Sequence, residues 1–430
     1  MRTTPGRHHA RNSFAITLAL IPIGVVACSA SADWQSEPGQ PIYVGEATID
    51  PTAGSVAARW TIRFVTDSTM SDGVSFLLNG RLEVSRLDGV DVDHVDEEAW
   101  QEGGEWKRID VAWREPAPAG AVREVLIEYE GVLFDSLPSD PINTISPDRI
   151  ELGLDAAWHP VFASLDQNLV GELTLYIPGS WTVAASGDVT RVDGAYVIQS
   201  SVPLIDFAFI AVPALRRSGA GAVAVFHEAA NPATVDMVVD AAGTCRDWLT
   251  ARFGELPDLK FVLAPRDDGG YARKNYIVLT QVENYPRSAL SRFVCHELAH
   301  YWSSAPSPST ADYWMTEAFA ELISALHVRD IHGDTAYAAI LEQWRQQSAD
   351  LPPVWTDTSS GRPPFAVSYR KAPLVLTELR SEIGEADFAA LLRRYMTRPT
   401  RTTRHLLDHL EAVSGSEARR SFEAFLARES

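Results

Sequence analysis

Apolar and polar residues alternate along most of the first half of the chain, over about residues 41–213. The alternation is clear in Trp60–Phe64, in Val125–Glu130 and in Leu173–Ile177. Gly, Pro, Asn and Asp residues separate these runs. A period of two interrupted by turn-forming residues predicts short strands with one face on a core and one in solvent. We therefore expect a β-rich N-terminal domain over residues 41–213.

The pattern changes near residue 214, where apolar residues begin to recur every three or four positions. Asn231-Pro232 is typical of a helix start, and Gly254 of a helix end. Two short apolar runs, Leu259–Ala264 and Tyr276–Thr280, are predicted to be strands. Helices are predicted at residues 288–302, 314–329, 334–347, 367–383, 387–396, 404–413 and 416–427, with Gly384 and Gly415 as helix stops. The predicted fold is therefore α+β and multidomain, with a mostly helical domain over residues 214–430.

Composition and charge narrow the classes of function. The chain has 430 residues, of which 46% are hydrophobic and 22% charged, which is ordinary for a globular protein of two or three domains. The formal net charge is -20 and Lys is scarce. Phosphate contacts require a basic surface, so we expect no nucleic-acid partner.

The N-terminal segment is predicted to direct export rather than to fold. Three Arg residues lie among the first eleven positions, and the apolar stretch Phe14–Ala27 ends at Cys28. This resembles a bacterial lipoprotein signal over residues 1–28, with Cys28 as the lipidated first residue and residues 29–40 as a tether. We expect a membrane-anchored protein of the cell envelope. The alternative is a plain secretory signal cleaved near Ala30 or Ala32.

Two cysteines are left once Cys28 is assigned to lipidation. In an oxidising compartment, Cys245 and Cys295 could form a disulfide. Alternatively both are buried thiols on helix faces, and we prefer this interpretation because helix faces bury Cys readily.

The strongest chemical motif is His296-Glu-Leu-Ala-His300 within the predicted helix 288–302. Residues four apart lie on one helical face, so His296 and His300 can present two imidazole nitrogens to one zinc ion. Glu297 is placed to take a proton from a zinc-activated water. The alternative is a surface helix with merely polar histidines. The apolar neighbours Phe293 and Trp302 argue against it, because buried histidines need partners.

The residues around this motif resemble the membrane alanyl aminopeptidase family of gluzincin metallopeptidases, which includes aminopeptidase N and leukotriene A4 hydrolase. The family pattern is His-Glu-Leu-Ala-His-x-Trp followed by a helix that opens Trp-Leu-Asn-Glu-Gly-Phe-Ala. This chain has a matching first motif and then Trp314-Met-Thr-Glu-Ala-Phe-Ala320. The resemblance implies Glu317 as the third zinc ligand, although sixteen residues separate it from His300, fewer than is usual in the family. It also implies a saddle-like antiparallel β domain followed by a thermolysin-like catalytic domain.

Further site residues follow from the same resemblance. Val367-Ser-Tyr-Arg-Lys371 is similar to a family segment whose Tyr stabilises the oxyanion, which implies that role for Tyr369. Glu321, one helical turn beyond Glu317, is expected to contact a ligand histidine. The alternative for Tyr369 is an aromatic side chain that only packs in the core, and the alternative for Glu321 is a solvated carboxylate.

Two departures from the family concern the substrate. Its exopeptidases carry Gly-x-Met-Glu-Asn, whose Glu binds the free amine of the substrate. Here Gly269-Gly270 leads into Arg273 and Lys274 at the corresponding place. A cation there would repel an ammonium and attract a carboxylate. The chain also ends about sixty residues after Tyr369, so we expect the family's large C-terminal helical domain to be missing and the cleft to be more open.

The sequence thus predicts a zinc-dependent metallopeptidase, with one Zn²⁺ per chain and peptide substrates. One alternative is a surface lipoprotein that uses this fold for binding or scaffolding and has little catalytic activity. Another is hydrolysis of a non-peptide bond, as leukotriene A4 hydrolase does with an epoxide, although no residue here supports it specifically.

Overall fold

The strand-rich first half and the helical second half are both present in the structure, a computed structural model. It describes residues 40–89, 91–99, 106–133, 142–165, 167–200, 202–267, 270–302, 306 and 309–429. The predictions made for residues 1–39, including Cys28 and most of the tether, lie outside this range. The predicted α+β fold class is confirmed.

The strands occupy short segments throughout the first 280 residues. They are β1 (Ile42–Asp50), β2 (Ser55–Val65), β3 (Gly73–Asn79), β4 (Glu83–Gly89), β5 (Val92–Ala99), β6 (Trp106–Trp113), β7 (Val122–Val132), β8 (Thr144–Ile145), β9 (Ile150–Leu152), β10 (Val161–Phe162), β11 (Val170–Tyr176), β12 (Thr182–Ala185), β13 (Asp188–Val192), β14 (Ala195–Gln199), β15 (Phe209–Val212), β16 (Arg216–Ala220), β17 (Val223–His227), β18 (Leu259–Ala264), β19 (Tyr271–Arg273) and β20 (Tyr276–Thr280).

Three sheets form the first half. A seven-stranded sheet has the order β13-β14-β11-β1-β2-β7-β4, and the two four-stranded sheets have the orders β10-β3-β6-β5 and β12-β15-β9-β8. Every pairing in these sheets is antiparallel except that of β1 with β11. In β2 the side chains of Trp60, Ile62 and Phe64 are buried, as the alternation predicts.

The second half packs helices against a mixed five-stranded sheet of order β16-β17-β18-β20-β19. β17, β18 and β20 run parallel to one another, and β16 and β19 pair antiparallel at the two edges. The helices are α1 (Pro232–Phe253), α2 (Arg287–Ala299), α3 (Trp314–His332), α4 (Asp334–Gln347), α5 (Ala372–Thr397) and α6 (Thr403–Ala427). A π-helical turn over Val367–Lys371 precedes α5.

Local sequence signals explain several helix ends. Asn231 caps α1, where its side chain accepts a hydrogen bond from the backbone N–H of Ala233 at 2.9 Å. Gly384 interrupts α5 with φ 81°, and Gly415 interrupts α6 with φ 85°. Left-handed backbone of this kind favours glycine, so both stops are where the sequence predicts them.

The preferred interpretation of the two cysteines is wrong. Cys245 on α1 and Cys295 on α2 are joined in a disulfide, with their Cα atoms 5.6 Å apart. Both side chains are fully buried, as free thiols would also be. The pattern of apolar positions places each cysteine on the inner face of its helix, but it does not show that the two faces meet at this point.

The described residues belong to a single compact unit. Its apolar core includes one large cluster in the first half and another in the second. Because the two halves are not separated into different units, the domain boundary near residue 213 stays a prediction. None of the helices in the described part of the chain combines the length and the apolar run that a membrane span requires.

Candidate metal centre

Helix α2 carries the motif on its buried side. Leu290, Val294 and Leu298 face the core, and this fixes the rotation of the helix about its axis. His296 lies in its last turn and His300 directly follows it, still with helical backbone angles. The two imidazoles therefore project in the same direction, with their Nε2 atoms 3.3 Å apart.

Helix α3 brings Glu317 to the same point. Its Trp314 is fully buried and its indole N–H donates to the Thr403 hydroxyl at 3.0 Å, which fixes the start of the helix. Glu317 lies one turn further along. Its Oε2 is 3.4 Å from Nε2 of His296 and 3.6 Å from Nε2 of His300.

These distances fit a metal ion. Nitrogen and oxygen ligands placed about 2.0–2.2 Å from zinc at tetrahedral corners lie about 3.3–3.6 Å from one another. The Oε2 atom of Glu317 is buried and accepts no hydrogen bond from any described residue. A buried carboxylate oxygen beside two imidazoles needs a positive partner. The donor set of two nitrogens and one oxygen suits zinc and leaves a fourth position for a reactant.

Burial and the charges of neighbouring groups shift the pKa values of the three ligand side chains in different directions. Burial lowers the pKa of His300 to about 4, so its imidazole is neutral and able to bind metal. Burial also opposes the charged form of His296, but the Glu317, Glu321 and Glu297 carboxylates raise the pKa of that imidazole to about 9. Both histidines hold the pKa of Glu317 well below its usual range, although burial acts in the opposite sense.

Glu297 lies between these groups on the same helix and is almost completely buried. Burial raises the pKa of its carboxyl to about 7, and the Glu317 carboxylate adds to this effect while His296 opposes it. A carboxyl with a pKa near neutrality can both accept and return a proton at physiological pH. This raised pKa suits the general-base role that the sequence predicts for Glu297.

Tyr369 comes from the π-helical turn and covers the cluster. Its ring lies nearly parallel to the imidazole of His296, with centroids 5.9 Å apart and an angle of 15°. Burial and the nearby Glu317 carboxylate raise the pKa of the phenol, so it stays protonated as a hydrogen-bond donor. Phe365 stacks on Tyr369 with centroids 4.1 Å apart, although 62% of Phe365 is exposed.

Glu321 is a buried, paired carboxylate rather than a solvated one. Arg292 donates to it in a close ion pair, and the guanidinium of Arg370 lies 3.4 Å from its Oε1. The same Oε1 is 3.7 Å from Nδ1 of His296, on the side of the ring away from Glu317. Glu321 thus faces the ring nitrogen of His296 that does not point at the cluster.

Of the predicted substrate-binding residues, Gly269 lies outside the described range. A Cβ at Gly270 would lie 2.3 Å from the carbonyl oxygen of Val278, so this glycine permits close strand packing. Arg273 is partly buried and its Nε donates to Asp206 at 2.9 Å, so its charge is paired within the protein. Lys274 acts on the cluster instead: its Nζ donates to the carbonyl of Tyr301 at 3.3 Å, and its charge helps to lower the pKa of His300.

Tyr313 is a site residue that the sequence reasoning missed. It lies in a 3₁₀ helix, Ala311–Tyr313, that runs directly into α3, and its hydroxyl donates to Oε1 of Glu317 at 2.8 Å. Its position four residues before Glu317 was a usable signal, because residues four apart share one helical face. Arg292, four residues before His296, carried the same signal for its contact with Glu321.

The fold is similar to those of known zinc peptidases, although no protein-family model and no curated relative matches the sequence. The M1 zinc metallopeptidase of Deinococcus radiodurans superposes with a TM-score of 0.70 at 19% identity, over 90% of this chain and 93% of its own. A mutant M1 zinc metallopeptidase of that species, bound to a Tyr-Ser-Ala substrate, gives a TM-score of 0.68 at 20% identity, over 90% and 94%. Native yeast leukotriene A4 hydrolase gives a TM-score of 0.72 at 17% identity, over 91% and 68%. The chain therefore has the fold of this metallopeptidase group, which confirms at the level of fold the resemblance drawn from the motifs.

Proposed function

We propose that this protein is a zinc-dependent peptidase that hydrolyses peptide bonds. The observation that carries the proposal is the convergence of His296, His300 and Glu317, whose ligand atoms are separated by distances that fit the edges of a tetrahedron. The Oε2 atom of Glu317 at this point has no hydrogen-bond partner among the described residues. A bound zinc ion would polarise the scissile carbonyl and acidify the attacking water. The similar metallopeptidase bound to Tyr-Ser-Ala supports a peptide as the substrate class.

The side chains of this protein have separate tasks in that reaction. Glu297 accepts a proton from the attacking water and delivers it to the leaving amine nitrogen, so one water is consumed for each bond cleaved. The phenol O–H of Tyr369 donates to the oxygen on which negative charge develops. Glu321, held by Arg292 and Arg370, keeps the ring of His296 in position.

The charge near the cluster bears on the choice of substrate. No described carboxylate forms an ion pair with Lys274, and its ammonium acts on His300. A substrate ammonium at the same place would meet a like charge. We therefore propose that a free N-terminal amine is not required, so that N-acetylated and free peptides are cleaved at similar rates.

The test combines metal analysis with a peptide library that includes matched free and acetylated members. We expect about one zinc per chain in the purified protein, and peptide cleavage that Glu297→Gln lowers by about 10²-fold or more without loss of zinc. Glu342→Gln, a change of an exposed carboxyl on α4, is the control and should retain full activity. A zinc-loaded protein that cleaves no peptide would contradict the proposal and support a binding role. Cleavage of free peptides alone would contradict only the proposed tolerance of a blocked amine.

We also propose, from the sequence of residues 1–40, that the protein is exported and anchored through a lipid on Cys28. Incorporation of labelled fatty acid into the wild-type protein, and its loss in Cys28→Ser, tests this. An unlabelled wild-type protein found free in the exported fraction would support the plain secretory signal.

A further inference from the structure

We propose that Tyr313 is a positioning residue for the metal, because its phenol holds Glu317 so that one carboxylate oxygen alone faces the two histidines. The inference rests on the zinc site proposed above and adds to it a residue outside the ligand motifs. It concerns the affinity of the protein for zinc and assigns Tyr313 no contact with substrate.

The two oxygens of Glu317 have different surroundings. The hydroxyl of Tyr313 donates to Oε1 at 2.8 Å, the usual length of an O–H···O hydrogen bond. Oε2 points to the Nε2 atoms of His296 and His300 at 3.4 and 3.6 Å and has no hydrogen-bond partner among the described residues. The phenol therefore satisfies one oxygen and leaves the other for the metal.

One contact fixes the turn that carries Tyr313, and another lies against its ring. Asp312, the residue before Tyr313, accepts a hydrogen bond from the backbone N–H of Thr403 at 2.8 Å. This bond ties the 3₁₀ turn to the start of α6. The guanidinium of Arg362 lies over the ring, 4.3 Å from its centroid. Arg362 forms no ion pair with any described residue, so its contact here is with the aromatic face. A rigid phenol makes a better orienting donor than a mobile one, because little side-chain entropy is lost when the carboxylate is bound.

Removal of the hydroxyl would leave Oε1 in a largely buried place without its donor. The carboxylate would then be free to rotate about its last bond, and its approach to the metal would no longer be fixed. Mutation of a residue that hydrogen-bonds a metal ligand typically lowers metal affinity or activity by about 10–100-fold. Tyr369 also lies beside the Glu317 carboxylate, and its ring stacks on His296, but its phenol is assigned to the oxyanion.

The experiment measures the zinc dissociation constant of the full chain by competition with a chelator of known affinity. Tyr313→Phe should bind zinc at least about tenfold more weakly than the wild type. Tyr369→Phe should lose turnover, because its phenol is assigned to the oxyanion. Tyr337→Phe is a matched control, because its hydroxyl accepts from Arg380 at 3.3 Å and its ring lies beneath Arg329, on α4 and away from the zinc cluster.

The outcomes separate this inference from the proposed function. A wild-type protein that binds no zinc refutes both. A wild type that binds zinc, with Tyr313→Phe within about twofold of it, refutes only the role of Tyr313. Should Tyr313→Phe fail to fold, Arg362→Ala takes its place: the released ring should weaken zinc binding measurably, and an unchanged dissociation constant would count against the proposal.

Discussion

At the scale of single residues, the cluster brings three carboxyl groups and two imidazoles together in a largely buried place. Glu297, Glu317 and Glu321 repel one another. Two of them have cationic or imidazole partners: His296 and His300 for Glu317, and two arginines for Glu321. Burial raises the pKa of Glu297 to about 7, and the Glu317 carboxylate adds to this shift. In the metal-free protein this carboxyl is therefore about half protonated at pH 7.

This arrangement predicts a pH-dependent stability of the metal-free protein. The pKa of Glu297 is raised from 4.5 to about 7 on folding. Its contribution to the free energy of unfolding is therefore fully present below about pH 4.5 and lost as the pH rises through 7, a loss of about 3 kcal/mol. Glu297→Gln should be more stable than the wild type above pH 7, and the advantage should disappear near pH 4.

Denaturant unfolding of chelated protein at several pH values tests this difference. His300 contributes with the opposite sign, since burial lowers its pKa to about 4, but it is common to both proteins and cancels in the comparison. A constant difference between Glu297→Gln and wild type from pH 4 to pH 9 would show that burial does not raise this pKa.

At the scale of elements, the site depends on how α1, α2 and α3 are held together. The period of apolar residues predicted each of these helices, and the His-Glu-x-x-His spacing placed two ligands on α2. The hydroxyl of Tyr313 was missed although its spacing from Glu317 was a usable signal. The two arginines that hold Glu321 and the disulfide were not predicted, because they depend on which faces of separate elements meet. A sequence period gives the inward face of a helix but not the partner across it. Arg273 shows the same limit, since its buried partner Asp206 lies 67 positions away in the chain.

The disulfide between α1 and α2 predicts a measurable coupling between oxidation state and stability. It closes a loop with a sequence separation of 50, for which the loop-entropy model gives about 4 kcal/mol of stabilisation. Replacing Cys245 and Cys295 together by Ala should lower the free energy of unfolding by this amount. Because Cys295 precedes His296, the same variant should also bind zinc more weakly.

A reducing agent provides the control for this prediction. It should destabilise the wild type and leave the double variant unchanged, as followed by denaturant unfolding. Equal sensitivity of the two proteins, or none in either, would show that the sulfurs are not joined in solution.

At the scale of the whole molecule, charged contacts connect the strand-rich half with the sheet that supports the site. Lys260 on β18 pairs with Asp188 on β13 at 2.9 Å, and Arg273 on β19 pairs with Asp206. A small apolar cluster that includes Ile210 on β15 and Val262 on β18 also joins the two halves. The position of β19 beside the metal centre therefore depends on residues that precede it by tens of positions.

Glu151 on β9 is a fully buried connection of this kind and carries the last prediction. It has no exposed surface: Arg149 donates to its Oε2 at 2.9 Å, while Arg266 at 3.0 Å and the hydroxyl of Tyr271 at 3.3 Å donate to its Oε1. Glu151→Ala removes the anion that Arg149 and Arg266 share, and among the described residues leaves Arg149 only its pair with Glu228. It should lower the free energy of unfolding by about 3–5 kcal/mol. Asp357→Ala breaks the exposed pair with Arg404 and should cost less than about 1 kcal/mol. Urea unfolding of both variants measures the two losses in the free energy of unfolding. If the losses are equal and small, the ion pairs at the boundary add no stability, and the two halves are held together by their apolar contacts alone.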